Sequence, residues 1–208
     1  MAKLQNANPN RMELSRLKKR LVVAKRGHKL LKDKQDALIK EFLQRAKAVK
    51  RRREEVEAKL QQCYGAFLLA RAQTLPAMLE QALMMPGSRC SLQVRSRNVM
   101  SVVVPEYEVR QEGNVRNYGL ATTGGSLDVA LEQFSQIVPE LIRLAADEKG
   151  LRLMALEIER TRRRVNALEH VLIPSFVETI RYITMKLDEQ ERANLSRLMR
   201  IKEIVRSH

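Results

Sequence analysis

Apolar residues recur at alternating steps of three and four along the first part of the chain. This spacing places them on one face of a helix, and it is the repeat of a left-handed coiled coil. Pro9 and Asn10 suit the start of such a helix, and Pro76 is expected to bend or end it. The register covers about seven heptads at Leu14, Leu17, Leu21, Ala24, His28, Leu31, Gln35, Leu38, Phe42, Arg45, Val49, Arg52, Val56, Lys59 and Cys63.

Charged residues interrupt this seam in its second half. Arg45, Arg52 and Lys59 take alternate core positions. We therefore expect this stretch either to face a third surface or to extend its long aliphatic stems outward. His28 also lies in the seam, and we interpret it as a packed or register-setting polar residue rather than as a metal ligand.

A second helical pattern follows the glycine pair at 124 and 125, with Ser126 and Asp128 as candidate caps. After Leu172 the steps become four, four and three, which is a stutter that locally unwinds a coiled coil. Pro174 lies at this stutter, and a proline inside a helix costs on the order of 3 kcal/mol unless a bend is useful there. We therefore predict a bend at Pro174. The apolar positions are Phe134, Ile137, Leu141, Leu144, Leu151, Met154, Ile158, Val165, Leu168, Leu172, Phe176, Ile180, Ile183 and Leu187.

The middle of the chain has a different periodicity. Residues 90–109 are rich in valine and alternate apolar with polar side chains, which favours short strands. Pro105 argues against one continuous strand there, and the polar residues after it suit a loop or a second, ragged strand. A two-stranded ribbon is marginal in water by itself, so we expect it to pack on a helix or on a partner subunit.

Together these patterns predict a mainly α fold. We expect an N-terminal long helix at residues 9–85, a middle region with a β-hairpin and loops at 86–125, and a C-terminal long helix at 126–206. The simplest arrangement is a long antiparallel two-helix coiled coil, because it buries both seams within one molecule and brings both termini to the same end. A homodimer of parallel coils is the competing arrangement.

The composition agrees with long helices. Of the 208 residues, 30% are charged and only 4% are aromatic, with no tryptophan, which is a profile typical of coiled coils. No run of about 18 apolar residues predicts a membrane-spanning helix, and the N-terminus lacks the apolar segment of a signal peptide. Cys63 and Cys90 have no metal-ligand spacing, so we expect neither a zinc site nor a disulfide framework, in a reduced cytosolic setting.

The net charge of +15 is concentrated near the N-terminus. Residues 1–60 hold 19 Lys and Arg against 7 Asp and Glu, a difference of +12. Such a block can neutralise phosphates, an anionic membrane surface or an acidic protein, or it can be a solvated face with internal pairs such as Lys50 and Glu54. The charge therefore leaves open a basic coiled-coil nucleic-acid-binding or scaffold protein. The few aromatic residues and the lack of a recognised reader fold argue against nucleic acid.

No residue pattern predicts catalysis or a cofactor. The carboxylates are dispersed along helices, and the histidines, His28, His170 and His208, have no partner pattern. The Thr-Thr-Gly-Gly segment at 122–125 lacks the residues that complete a phosphate-binding loop. We expect no enzymatic activity of this chain alone, and no cofactor or metal.

Three segments resemble a known family: "NPNRMELSRLKKRL", "RGHKLLKDKQDALIKEF" and "EIERTRRRVNALEHVLIP". They are similar to the diagnostic segments of the D subunit of the V-type and archaeal-type rotary ATPases, particularly the shorter bacterial form. The similarity covers residues 8–43 and about 147–203, whereas the middle resembles the family only loosely.

The resemblance implies a non-catalytic central-stalk subunit, the rotor axle of a complex that translocates protons or sodium ions and makes or consumes ATP. Its coiled coil would stand inside a hexamer of catalytic A and regulatory B subunits. The small F subunit of the central stalk would bind its middle and lower parts, and its base would sit on the funnel-shaped subunit above the membrane ring. The implied location is peripheral, at the cytoplasmic face of the membrane, without direct membrane insertion and without bound nucleic acid.

We expect partner contacts at basic residues in two places. Arg162, Arg163 and Arg164 point in directions about 100° apart on a helix, so at least one should face away from the intramolecular pair. Basic residues near both termini should lie together at one end of the pair, inside the hexamer: Arg11, Arg16, Lys18, Lys19, Arg20, Arg192, Arg197 and Arg200.

Overall fold

The computed structural model describes residues 8–119 and 123–206. The helices and strands are, in order, α1 (Arg11–Gln73), α2 (Pro76–Leu83), β1 (Ser88–Val99), β2 (Val102–Gly113), α3 (Gly125–Ala167), a π-helical turn (Leu168–Leu172) and α4 (Ile173–Arg206). The predicted fold class is confirmed: the protein is mainly helical, its long N-terminal and C-terminal helices pack together, and a hairpin lies between them. Within the described ranges, no helix combines the length and the apolar character needed to cross a bilayer.

Asn10 caps the start of α1. The Leu14 N–H donates to the Asn10 carbonyl oxygen at 3.0 Å, and the Met12 N–H donates to Asn10 Oδ1 at 3.4 Å. These bonds satisfy donors that the first turn of a helix leaves free.

The C-terminal end of α1 differs from the prediction of one helix over residues 9–85. α1 ends at Gln73, and Pro76 begins the short helix α2. Proline is favoured in a first helical turn, where its missing N–H would have no partner.

The first of two compact units contains the described residues 8–37 and 158–206. Arg11 pairs with Glu191, whereas His28, further along α1, lies beside Glu169. Since the partner number falls as the α1 number rises, the two helical segments are antiparallel in this unit. The buried residues of this unit are Leu17, Thr161, Val165, Thr179 and Ile183.

The second unit consists of residues 38–157 and contains α2 and the hairpin. Arg52 pairs with Asp147 and Lys59 pairs with Glu140, so α1 and α3 are antiparallel here as well. One core cluster is built from Val56, Cys63, Ile137 and Leu144. A second cluster, Ala70, Leu79 and Leu127, joins α2 to the two long helices.

The hairpin pairs β1 with β2 from Ser88 opposite Gly113 to Val99 opposite Val102. Its two-residue turn is Met100 and Ser101, whose φ values are 51° and 71°. β2 continues through Pro105, so the predicted interruption of the strand there is wrong. A strand of a two-stranded sheet always has a free edge, and proline is tolerated where its missing N–H faces that edge.

The hairpin packs on a helix of its own chain, which is one of the two expected supports. Val102 and Val104 are buried, and Val104 contacts the backbone of α3 at Gly150. Near the base of the hairpin, the Gln111 side-chain amide donates to the Ser135 carbonyl oxygen at 3.0 Å. The hairpin therefore lies along α3 from base to tip.

Candidate functional site

The predicted seam of α1 is buried as expected, apart from two basic positions. Of its fifteen positions, all except Arg52 and Lys59 are at least partly buried. These two side chains instead form ion pairs with α3: Arg52 contacts Asp147, and Lys59 Nζ lies 2.6 Å from Glu140 Oε1. Arg45, the third charged position, pairs within α1 with Glu41 at 2.8 Å. Arg52 and Lys59 thus place their charges beside carboxylates of the paired helix, and Arg45 and Arg52 also line a cleft beside the hairpin, which is a third surface.

The basic residues near the two termini occupy exposed positions in the first unit. Arg11 pairs with Glu191 of α4, so the start of α1 lies beside the part of α4 that holds Arg192. Arg16 lies 3.8 Å from Glu13 of its own helix. The remaining predicted residues are exposed, and none of them forms an ion pair within the described ranges: Lys18, Lys19, Arg20, Arg192, Arg197 and Arg200.

The arginine triplet lies on the outer face of α3. Arg162, Arg163 and Arg164 are all exposed, between the buried residues Thr161 and Val165. Arg163 pairs with Glu159 one turn earlier on the same helix. Among the residues that the structure describes, no carboxylate pairs with Arg162 or Arg164. Two guanidinium groups are thus free to contact another molecule.

A π-helical turn immediately precedes Pro174. The Ile173 N–H donates to the Leu168 carbonyl oxygen, five residues earlier. Such a turn holds one residue more than an α-helical turn, and π turns and prolines are both recognised causes of helix kinks. The extra residue moves the seam: Leu172, a predicted seam residue, is 41% exposed, whereas Ile173 is partly buried. The spacing pattern had indicated a discontinuity here, but not that it is a π turn.

His28 contacts this π turn from the opposite helix. Its Nε2 lies 3.2 Å from Oε2 of Glu169, and its side chain is 20% exposed. The position fits the interpretation of His28 as a packed polar residue in the seam. Across the described part of the chain, no three His, Cys, Asp or Glu side chains cluster as metal ligands would.

The last turns of α4 are exposed in the described chain. Every residue from 188 to 206 is exposed. The exposed apolar side chains there are Leu195, Leu198, Met199, Ile201, Ile204 and Val205. The predicted seam ended at Leu187, although Leu198, Ile201 and Val205 continue its steps of three and four.

Tyr118 joins the segment after the hairpin to the start of α3. Its hydroxyl donates to Oδ1 of Asp128. Burial of the phenol, followed by the hydrogen bond and the negative charge of Asp128, raises the pKa of Tyr118 to about 12, while Arg116 opposes the shift. Arg116 is itself held 2.8 Å from Glu132. This network fixes the base of the hairpin against α3.

Comparison with known proteins gives a consistent result over nearly the whole chain. The family model for the D subunit of ATP synthase matches residues 13–203. A protein of Thermoanaerobacter sp. (strain X514), named as the D subunit of V-type ATP synthase, is 52% identical over 202 residues, which cover 96% of this chain and 97% of that protein. Proteins of the same name are 53% identical in Clostridioides difficile (strain 630), covering 99% of this chain and 93% of the relative, and 50% identical in Acetivibrio thermocellus, covering 97% and 93%.

Proposed function

Because the chain belongs to the family of V-type ATP synthase D subunits, we propose that it is the non-catalytic axle of the central stalk. In this role it transmits torque between the nucleotide-binding hexamer and the ion-carrying ring in the membrane. The ATP chemistry takes place on other subunits. The chain then works as a peripheral part of the complex at the cytoplasmic face of the membrane.

The observation that carries this proposal is the exposed end of α4. Exposed apolar side chains in successive turns of one helix favour a partner surface, because the hydrophobic effect favours burial by roughly 25 cal/mol per Å². Leu198 and Val205 are 62% and 70% exposed. The same turns carry Arg192, Arg197 and Arg200, so the surface suits a cavity with an apolar lining and acidic groups at its rim. We assign this end to the interior of the hexamer of A and B subunits.

The second unit supports contacts with the remaining stalk components. Exposed apolar residues lie at the end of α1 and around α2: Leu68, Leu69, Leu75, Met84 and Met85. We assign this surface to the funnel-shaped subunit above the membrane ring. The hairpin and the helices beside it in the same unit are then available to the small F subunit.

The π turn and Pro174 provide a local irregularity between α3 and α4. An axle changes the state of surrounding subunits only if it contacts them unequally on different sides. We propose that the interruption at Leu168–Leu172 and the bend that we predict at Pro174 supply such a difference in the first unit, and that Arg162 and Arg164 contact acidic groups of neighbouring subunits.

The proposal is tested by extracting membranes with a mild detergent and purifying the complex through a tag on this chain. The A, B and F subunits and the funnel-shaped subunit should co-purify, with ATPase activity that the isolated chain lacks. Leu198→Ser with Val205→Ser should reduce recovery of the hexamer, whereas Val94→Ser, at an exposed apolar position of the hairpin, should leave the hexamer bound. ATP hydrolysis by the chain alone, or tight binding to nucleic acid at physiological salt without recovery of the hexamer, would contradict it.

A further inference from the structure

A cleft of about 250 Å³ lies in the second unit, between the hairpin and the two long helices. This volume is far above the roughly 10–15 Å³ that one water molecule needs. Its charged lining residues come from four elements: Arg45 and Arg52 of α1, Arg97 of β1, Glu106 of β2, and Arg143 and Asp147 of α3. Four guanidinium groups against two carboxylates leave two positive charges in excess.

The carboxylates do not neutralise all four arginines. Arg52 pairs with Asp147, and Arg97 lies 3.6 Å from Glu106. Arg143 has no carboxylate partner within residues 8–119 and 123–206, although it lines the same cleft. Its positive charge is therefore not neutralised by an ion pair within the described chain.

Arg45 is paired with Glu41, which lies outside the lining of the cleft and contacts Arg45 Nε at 2.8 Å. Arg143 is therefore the cleft arginine that lacks a carboxylate partner among the described residues. A smaller cavity of about 140 Å³ shares Arg45, Arg52 and Asp147 with the cleft. The guanidinium groups of Arg45 and Arg52 thus line both the cleft and the smaller cavity.

An oxyanion with several acceptor oxygens matches this lining. The guanidinium group presents a rigid, planar fork of N–H donors that fits phosphate oxygens in pairs, and it does so at any physiological pH. The hydroxyl of Tyr107, which also lines the cleft, is a further donor. A tetrahedral anion can face arginines from three directions at once, whereas one planar carboxylate can engage fewer of them.

We propose that this cleft is a binding site for a phosphate group, carried either by free inorganic phosphate or by a nucleotide. Arg143 and Arg97 contact the anion, and Arg45 and Arg52 contribute positive charge from α1. The ligand stabilises the hairpin on the helix pair, because its contacts come from both. The site is independent of the role as an axle, since it requires only the residues of this unit.

The test is calorimetric titration of the purified full chain with inorganic phosphate, ADP and adenosine at constant ionic strength. Saturable binding of phosphate or ADP, without binding of adenosine, supports the site, and comparison of the two ligands distinguishes the free ion from the esterified group. Arg143→Gln should weaken binding about tenfold through loss of charge-assisted hydrogen bonds. The matched control, Arg152→Gln, removes an exposed charge from the same helix outside the cleft and should change affinity by less than about twofold.

A substitution that increases affinity gives a second, independent test. Glu106→Gln removes a competing negative charge and releases Arg97, so it should tighten phosphate binding. Equal losses in Arg143→Gln and Arg152→Gln would show general charge attraction and overturn the proposal. Absence of saturable binding at millimolar phosphate would do the same. Displacement of phosphate by equimolar acetate or glutamate would also overturn it and would favour docking of an acidic protein segment.

Discussion

Cγ1 of Val104 packs so closely on α3 that a Cβ atom added at Gly150 would lie only 2.7 Å from it. Val104 is 6% exposed and Gly150 is buried. A glycine inside a helix is unfavourable by roughly 0.5–1 kcal/mol relative to alanine. Here the absence of a side chain lets the hairpin approach the helix backbone, which a methyl group would prevent.

We therefore expect Gly150→Ala to destabilise the protein, although alanine favours the helix. The valine side chain is stiff at χ1, so the clash should cost about 1–3 kcal/mol, as other overpacked sites do. Urea unfolding followed by circular dichroism measures the change. In the Val104→Ala background, the same glycine substitution should be neutral or stabilising, and an unchanged penalty there would show that the two residues do not interact.

The hairpin turn should be open to stabilisation. Met100 and Ser101 both have positive φ, and a two-residue turn of this kind prefers Asn-Gly because other residues are strained there. Met100→Asn combined with Ser101→Gly should raise the free energy of unfolding by about 1 kcal/mol. Ser96→Gly, within β1, is the matched control and should lower it. A loss of stability in the turn variant would mean that the Met100 side chain stabilises the hairpin by more than its backbone strain destabilises it.

The seam of α1 shows what periodicity can predict. Leu17, Leu38, Val56 and Cys63 all lie at predicted seam positions and are at most 4% exposed. Apolar side chains at steps of three and four define a helix face whatever they pack against, so these positions follow from the sequence alone. The pairing of Arg52 with Asp147 does not, because it depends on the register between two segments almost a hundred residues apart.

Other features depend on local geometry that spacing does not encode. A stutter and a π turn both appear as a shifted apolar step, so the pattern near Leu172 located the irregularity without identifying it. The arginine cleft was not predicted either, since Arg45, Arg97 and Arg143 come together only when the hairpin lies along α3. The continuous course of β2 through Pro105 could not be predicted from spacing either. It depends on the free edge of the strand, which is a property of the sheet.

The π turn should be removable by shortening the helix. Deletion of Val171, which is 58% exposed, removes the extra residue. The added substitution Pro174→Ala restores the backbone N–H that proline lacks. We expect the free energy of unfolding of the isolated chain to rise by about 1–3 kcal/mol, and ATP-driven ion transport by the assembled complex to fall. Pro174→Ala alone retains the extra residue and serves as the control. Unchanged transport in the deletion variant would assign the π turn a purely structural role.

Tyr118 should titrate apart from the other tyrosines. A raised pKa means that folding favours the protonated phenol, so this contribution to stability is complete below the ordinary value of about 10. It is lost as the pH rises through the folded-state pKa of about 12. Ultraviolet titration of phenolate absorbance should show a late step that Tyr118→Phe removes. Asp128→Asn should move this step to lower pH, because the amide retains an acceptor but carries no negative charge. If the late step persists in Tyr118→Phe, another tyrosine is responsible.

The basic ends of the two helices should contribute to assembly collectively. Arg16 forms a long ion pair with Glu13, at 3.8 Å. Arg197 is exposed and forms no ion pair with a described residue. An exposed ion pair is worth about 0–1 kcal/mol, so Arg16→Glu or Arg197→Glu alone should leave hexamer affinity and ATP turnover nearly unchanged. Deletion of about two turns from the outer end of each helix removes several charges together with Ile201 and Val205, and it should weaken binding and lower torque. Affinity for the hexamer and single-molecule rotation distinguish the alternatives: complete loss of both in Arg16→Glu would identify a specific ionic contact in place of a distributed surface.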